Sequence, residues 1–147
     1  MTNVRQANVA DLDLLVPLFD GYRQFYRFPS DLERGRRFLL DRFEHNQSVI
    51  FLALDGGAAV GFTQLYPSFS SGAMARLFVL NDLFVAPEAR GRGAGKALLD
   101  AAAEYGRRVG ALRLVLSTEV TNTTAQAVYE KAGWKRDTVF YVYKLEL

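Results

Sequence analysis

Apolar residues recur along this chain at two different spacings, and the changes from one to the other divide it into elements. Val4 to Asn8 reads as a short strand. Leu12, Leu15, Phe19 and Tyr22 then fall near helical spacing, so a helix is expected from Asp11, its cap, through Tyr26. Pro17 should kink that helix or mark its restart. Ser30 followed by Glu33 is a capping-box pattern and opens a second helix, SDLERGRRFLLDRFE. The runs VIFLAL and AVGFTQLY, joined by the turn DGGA, read as a hairpin, PSFSSGA as a polar loop, and RLFVLNDLFV as a long buried strand. A loop, RGRGAG, leads into the helix GKALLDAAAEYGRRV, whose end is marked by Gly110. LRLVLST is a further strand, TTAQAVYEKA a short helix ended by Gly133, and VFYVYKLEL a closing strand. This order predicts an α+β or mixed α/β sandwich.

Composition narrows the chemistry more than the architecture. A chain of 147 residues that is 50% hydrophobic is expected to form a single domain, 1–147, with a substantial core. Charge is ordinary, with a formal net charge of +2, and no recognition element marks a nucleic-acid reader. Basic residues gather at Arg34, Arg36, Arg37 and Arg42, which reads as a solvated helix face, and at Arg90, Arg92 and Lys96, among glycines. There is no cysteine, and His45 is the one histidine, so thiolate chemistry is excluded and neither a Ser-His-Asp triad nor a metal site is expected. No run suits a membrane span and the N-terminus lacks a signal peptide's apolar core, so a cytoplasmic protein is expected.

The glycine stretch is the most informative. Gly91, Gly93 and Gly95 alternate before Lys96. A P-loop would need a glycine where Arg90 stands and a Ser or Thr where Ala97 stands. A dinucleotide fingerprint begun at Gly91 would need a glycine at Lys96. Both patterns fail, but their common physics survives. The first amides of a helix lack intrahelical partners and carry partial positive charge, and glycines let that backbone approach an anion closely. A pyrophosphate suits such a site; a tight strand-to-helix turn would also use glycine.

Two blocks carry a resemblance. VAPEARGRGAGKALL, Val85 to Leu99, resembles motif A of the Gcn5-related N-acetyltransferases (GNAT), with Arg90, Gly93 and Gly95 at the signature positions. NTTAQAVYEKAGW, Asn122 to Trp134, resembles that family's second block, in the expected order. The look of FTQLYPSFSS and LNDLFVAPEARGRG is nearest to the histone-and-polyamine acetyltransferase branch. The resemblance implies a mostly antiparallel central sheet flanked by helices, whose splayed central strands form a slot for acetyl-CoA. It implies that the backbone of Gly91, Arg92, Gly93, Ala94, Gly95 and Lys96, with Arg90 on the same rim, holds the pyrophosphate. Leu83, Phe84 and Val85 would offer main-chain hydrogen bonds to the pantetheine arm, with Asn122, Thr123, Thr124 and Ala125 lining its far side.

The implied reaction is direct attack of an amine on acetyl-CoA in a ternary complex. Tyr129 matches the family's general acid; it lies about 10 Å of helical rise beyond Asn122 on nearly the same side, and an ordinary phenol stays protonated at neutral pH. Asp82 is the candidate base, with Asn81 and Glu119 as the other positions considered. Strand alternation sends Asn81 and Asp82 to opposite faces, so only one is expected to face the slot. Tyr22, Tyr26, Tyr66 and Phe69, with Asn81, are candidates to wall a pocket for a small cation. The resemblance implies a small-molecule amine such as a polyamine or amino acid. A lysine of a protein or peptide is the alternative, as is a catalytically idle CoA-binding sensor. VFYVYKLEL is a candidate for pairing across a homodimer or for an internal edge strand.

Overall fold

The computed structural model describes residues 2–147, whose backbone forms two compact units, residues 2–117 and 118–147. The first unit holds β1 (Thr2–Gln6), α1 (Leu12–Phe25), α2 (Leu32–Glu44), β2 (Val49–Asp55), β3 (Ala58–Ser70), β4 (Ala75–Val85), α3 (Ala94–Arg108) and β5 (Leu114–Val115). The strands lie in the order β1-β2-β3-β4-β5; β4 and β5 are parallel and the other pairs antiparallel. This is the mixed, mostly antiparallel sheet that the sequence led us to expect.

Both faces of the sheet are covered, which is why β2 reads as an unbroken apolar run. Alternation turns Ile50 and Leu52 to one face and Phe51 and Ala53 to the other, and all four are buried. On the first face, Leu15 and Phe19 of α1 and Leu39 of α2 join Ile50, Leu52, Phe62 and Phe84 in one core. On the second lies α3, whose Tyr105 meets Phe51 and Phe78 with ring centroids 5.7 and 5.5 Å away. Gly61 in β3 is required by crowding: a Cβ there would lie 2.7 Å from the Phe84 carbonyl oxygen.

Several expectations need correction. α1 runs unbroken through Pro17, which lies on its exposed side. Asp11 does not cap α1 with its side chain; its carboxylate accepts from Asn8 N–H at 2.9 Å and pairs with Arg5 at 2.7 and 2.8 Å. The cap of α2 is Asp31, not Ser30, because the Ser30 hydroxyl donates to the buried carboxylate of Asp20 at 2.7 Å. Of the expected loop PSFSSGA, residues 67–70 are strand, since the β3–β4 ladder continues to Ser70↔Ala75. Pro67 is tolerated there because β2 ends its pairing at Val49↔Leu65, leaving one side of β3 without a strand to bond. Of LRLVLST only Leu114–Val115 is strand.

The second unit contains α4 (Thr123–Lys131), capped by Asn122, whose side-chain oxygen accepts from Ala125 N–H at 3.1 Å. Residues 134–147 hold no helix or strand, so the expected closing strand is absent. Its start is drawn into a local turn in which Asp137 accepts from the N–H groups of Val139 and Phe140 at 2.8 and 3.3 Å. Strand propensity without a partner backbone does not make a strand.

Candidate active site

The glycine loop begins where β4 leaves the sheet. Ala86 N–H donates to the Val60 carbonyl at 2.8 Å, and a short helical turn, Pro87–Ala89, leads to Arg90. Gly91 and Gly93 have φ of +80° and +86°, a region that side chains strain. A Cβ at either would meet nothing within 4 Å, so glycine is needed for backbone conformation and not to relieve crowding. Gly95 differs: it lies inside α3, and a Cβ there would make ordinary contact with Val85 at 3.9 Å. The first bond of α3 runs from Ala97 N–H to the Gly93 carbonyl at 3.0 Å, and Gly93 offers no capping side chain. The amides of Ala94, Gly95 and Lys96 therefore precede any intrahelical acceptor.

The nearby cations are held differently. Arg90 donates through Nε to the Val85 carbonyl at 2.9 Å, and its guanidinium lies 5.7 Å from the ring centroids of both Phe25 and Phe84. Lys96 pairs with Asp100 at 2.6 Å, both exposed, and exposed Arg92 lies 3.8 Å from the half-buried Asp55. Exposed or long pairs of this kind are weak, so an anion at the loop can compete for Lys96 and Arg92.

The edge of β4 is open beside this loop. Its pairing with β5 is confined to Phe78↔Leu114 and Val79↔Val115, whereas β4 continues along β3 to Val85. Because Ala86 N–H points toward β3, alternation turns the main-chain groups of Phe84 toward β3 and those of Leu83 and Val85 away from it. This corrects the expectation that all three offer main-chain hydrogen bonds to a ligand: the main chain of Phe84 is engaged with β3, and its ring belongs to the core.

The second feature is a carboxylate on the α1 face of the sheet. Gln64 pairs with Asp82 and Leu65 with Leu80, so Asn81 is an extra residue in β4, a β-bulge. The bulge overturns the alternation argument. Asn81 and Asp82 turn to the same side, and Asn81 Nδ2 donates to Asp82 Oδ1 at 2.8 Å. Gln64 Nε2 donates to the other oxygen, Oδ2, at 2.6 Å. Asp82 is 1% exposed and Gln64 fully buried. Tyr22 of α1 donates its hydroxyl to the Asn81 carbonyl at 3.2 Å, and its ring meets those of Tyr26 and Phe62 edge-on at 5.2 and 5.9 Å.

Burial raises the Asp82 carboxyl above the usual carboxylate range, opposed by hydrogen bonds from Asn81 and Gln64 and by the nearby Tyr22 hydroxyl. Burial also raises the phenols of Tyr22 and Tyr66 well above their ordinary value, and the nearby Asp82 charge raises them further. The structure thus gathers Tyr22, Tyr26, Tyr66, Asn81 and Asp82 into one cluster. Phe69 does not belong to it: it sits farther along the β3–β4 ladder opposite Arg76 and is 70% exposed. Gln64 is the residue that sequence reading missed. Its signal was a polar Thr63–Gln64 pair inside an apolar strand, because a buried amide requires a partner.

In the second unit, Tyr129 is half-buried on α4, its ring 6.2 Å from that of Trp134, and Trp134 N–H returns to its carbonyl at 3.0 Å. Thr123, Thr124 and Ala125 form the first turn of α4. Glu119 is exposed, and its carbonyl accepts from Asn122 N–H and from Gln126. Among the described residues no cluster of three or more His, Cys, Asp or Glu side chains is arranged to hold a metal, and no helix is long and apolar enough to cross a membrane.

Comparison with known proteins agrees from end to end. The pattern of the Acetyltransferase (GNAT) family matches residues 15–134. The chain is 48% identical to the uncharacterised N-acetyltransferase YhfO of Bacillus subtilis (strain 168) over 145 residues, covering 99% of this chain and 97% of that protein. Among solved structures, a probable acetyltransferase superposes with a TM-score of 0.95 at 44% identity, covering 99% of this chain and 97% of the other. An aminoglycoside N-acetyltransferase in complex with CoA shares the fold, with a TM-score of 0.81 at 21% identity over 100% of this chain and 96% of its own.

Proposed function

The chain belongs to the acetyltransferase (GNAT) family, and from that premise we propose that residues 1–147 form one domain that moves an acetyl group from acetyl-CoA directly onto a primary amine of a small molecule. The donor half of this reading rests on the glycine loop. The uncapped amides of Ala94, Gly95 and Lys96, reached over Gly91 and Gly93, suit a diphosphate, and exposed Lys96 and Arg92 add charge, Lys96 in an exposed pair and Arg92 in a long one. The main-chain groups of Leu83 and the N–H of Val85, whose carbonyl accepts from Arg90, suit the amides of the pantetheine arm, added in the manner of a strand. Asn122 to Ala125 are assigned to the same arm by family analogy.

The acceptor half rests on a single observation, the buried carboxylate of Asp82 among tyrosine rings. An amine of lysine type has a pKa of about 10.4 and arrives protonated. Asp82 takes that proton, directly or through water, and the freed nitrogen attacks the thioester carbonyl. The C–N bond forms and the C–S bond breaks, and the proton for the leaving sulfur is assigned to Tyr129 by the same family analogy. A carboxyl raised above its usual range is better matched to proton transfer near neutrality than an exposed one. Tyr22, Tyr26 and Tyr66 wall the site and attract a cation through their ring faces.

Mixing the protein with acetyl-CoA and spermidine, L-lysine or a lysine peptide, and following free CoA with a thiol reagent, tests this reading. The chain has no cysteine to contribute background. Release with spermidine or L-lysine is expected. Turnover confined to the peptide would favour protein acetylation, and CoA binding without turnover a sensor. Unchanged turnover in Tyr129→Phe would remove Tyr129 as acid. The same proposal extends to a homodimer, supported by the tail, where Val139, Tyr141 and Tyr143 are 78%, 89% and 90% exposed on a strand-forming sequence. Sedimentation of the full chain as a monomer would remove that part.

A further inference from the structure

Gln64 is buried at a cost that packing does not explain. Its Nε2 is committed to Asp82 Oδ2 at 2.6 Å, while its Oε1 is buried with no donor among the described residues. An apolar side chain of similar length would fill the same space without an unsatisfied oxygen. What a glutamine adds at this point is one N–H directed at one carboxylate oxygen. The bulge at Asn81 brings Asp82 opposite Gln64 in the β3–β4 register, so the two side chains share a face and meet across the strands.

We propose that Gln64 is the positioning residue of the proton acceptor: its amide fixes the rotamer of Asp82 and keeps the carboxylate ionised, leaving the remaining lone pairs for the incoming ammonium. This rests on the reading of Asp82 as base. Asn81 also donates to Asp82, but Asn81 is exposed and water can replace its bond, whereas no water competes at fully buried Gln64. Both amides hold the carboxyl down, and the Gln64 bond is the one that solvent cannot replace. The other groups that face Asp82 are Tyr22 of α1 and Tyr66 of β3, with Tyr26 acting on Tyr22 and Arg42 of α2 acting on Tyr66. Tyr22 and Tyr66 keep their protons throughout the acid and neutral range, so a titration seen there belongs to the carboxylate.

The test follows the Asp82 carboxyl by carbon NMR in full-length protein labelled at aspartate side chains, in wild type, Gln64→Met, Gln64→Glu and Asn81→Ala. CoA release against pH is measured alongside, with spermidine or, failing turnover, with water as acetyl acceptor. Losing the Gln64 donor should move the Asp82 titration and the acid limb of the rate profile to higher pH together, by about one unit or more in Gln64→Met. Gln64→Glu, which adds a second carboxyl, should move them further, and Asn81→Ala less. A carboxyl that titrates in Gln64→Met as in wild type would overturn the proposal and leave Asp82 as base. A carboxyl that moves while the acid limb stays would overturn Asp82 as base, and the role of Gln64 with it.

Discussion

The glycine loop and the β4 bulge stand at the two ends of one short segment, Asn81 to Gly95, and work by opposite means. At the loop the useful groups are backbone amides, exposed by the removal of side chains: Gly91 and Gly93 have open space where a Cβ would go. At the bulge the useful group is a side chain, nearly sealed from water and held at both oxygens by Gln64 and Asn81. An anion can be gripped by exposed dipoles because the grip needs only direction and closeness. A proton acceptor near neutrality needs burial, and burial without donors would leave the carboxylate uncharged. One site uses freedom from side chains, the other constraint by them.

Substitutions should separate the two ends. The largest effect is expected from Asp82→Asn, which removes the acceptor but keeps the shape. Turnover with the best amine should fall by about 10²-fold or more while CoA affinity measured by calorimetry stays near wild type. Loss of both together would erase the distinction between the regions. Next is Gly93→Val, in which a β-branched side chain meets a φ of +86°. CoA affinity should weaken by about 10-fold, and the pH dependence of the remaining activity should be unaltered.

The same contrast has a stability signature. Folding raises the Asp82 carboxyl, so the native state binds its proton more readily than the unfolded chain. The penalty for burying the charge is present above the raised native pKa and is relieved as pH falls through it toward the ordinary carboxylate value. Wild-type Tm should therefore decline as pH rises through that window, and Asp82→Asn should lack the decline; equal slopes would mean that the carboxylate is not penalised. The smallest effect is expected for Lys96→Ala, whose exposed pair with Asp100 contributes little. A loss of CoA affinity of about 2–3-fold, shrinking with added salt, would mark a screened charge, and a larger loss would assign Lys96 a direct phosphate contact.

The two regions were unequally legible in the chain. The loop, its glycines and the helix behind it follow from residues adjacent in sequence, and the positive φ values at Gly91 and Gly93 fulfil that reading. The strands of the core were legible for a similar reason, since apolar period reports which face is covered. The tail shows the limit: VFYVYKLEL has the composition of a strand, yet without a bonding partner residues 134–147 form none.

What the sequence by itself determined was the family, the sheet with its covering helices, and the place where backbone amides are offered, because each depends on local spacing and local conformational freedom. Only the tertiary structure decided that Asn81 and Asp82 share a side, that Gln64 serves Asp82, that Phe84 turns its main chain inward, and that Phe69 stands apart. Those facts depend on which residue of one strand lies opposite which residue of the next. Register is a property of the paired strands, and a single extra residue in one of them reverses what alternation along that strand would predict.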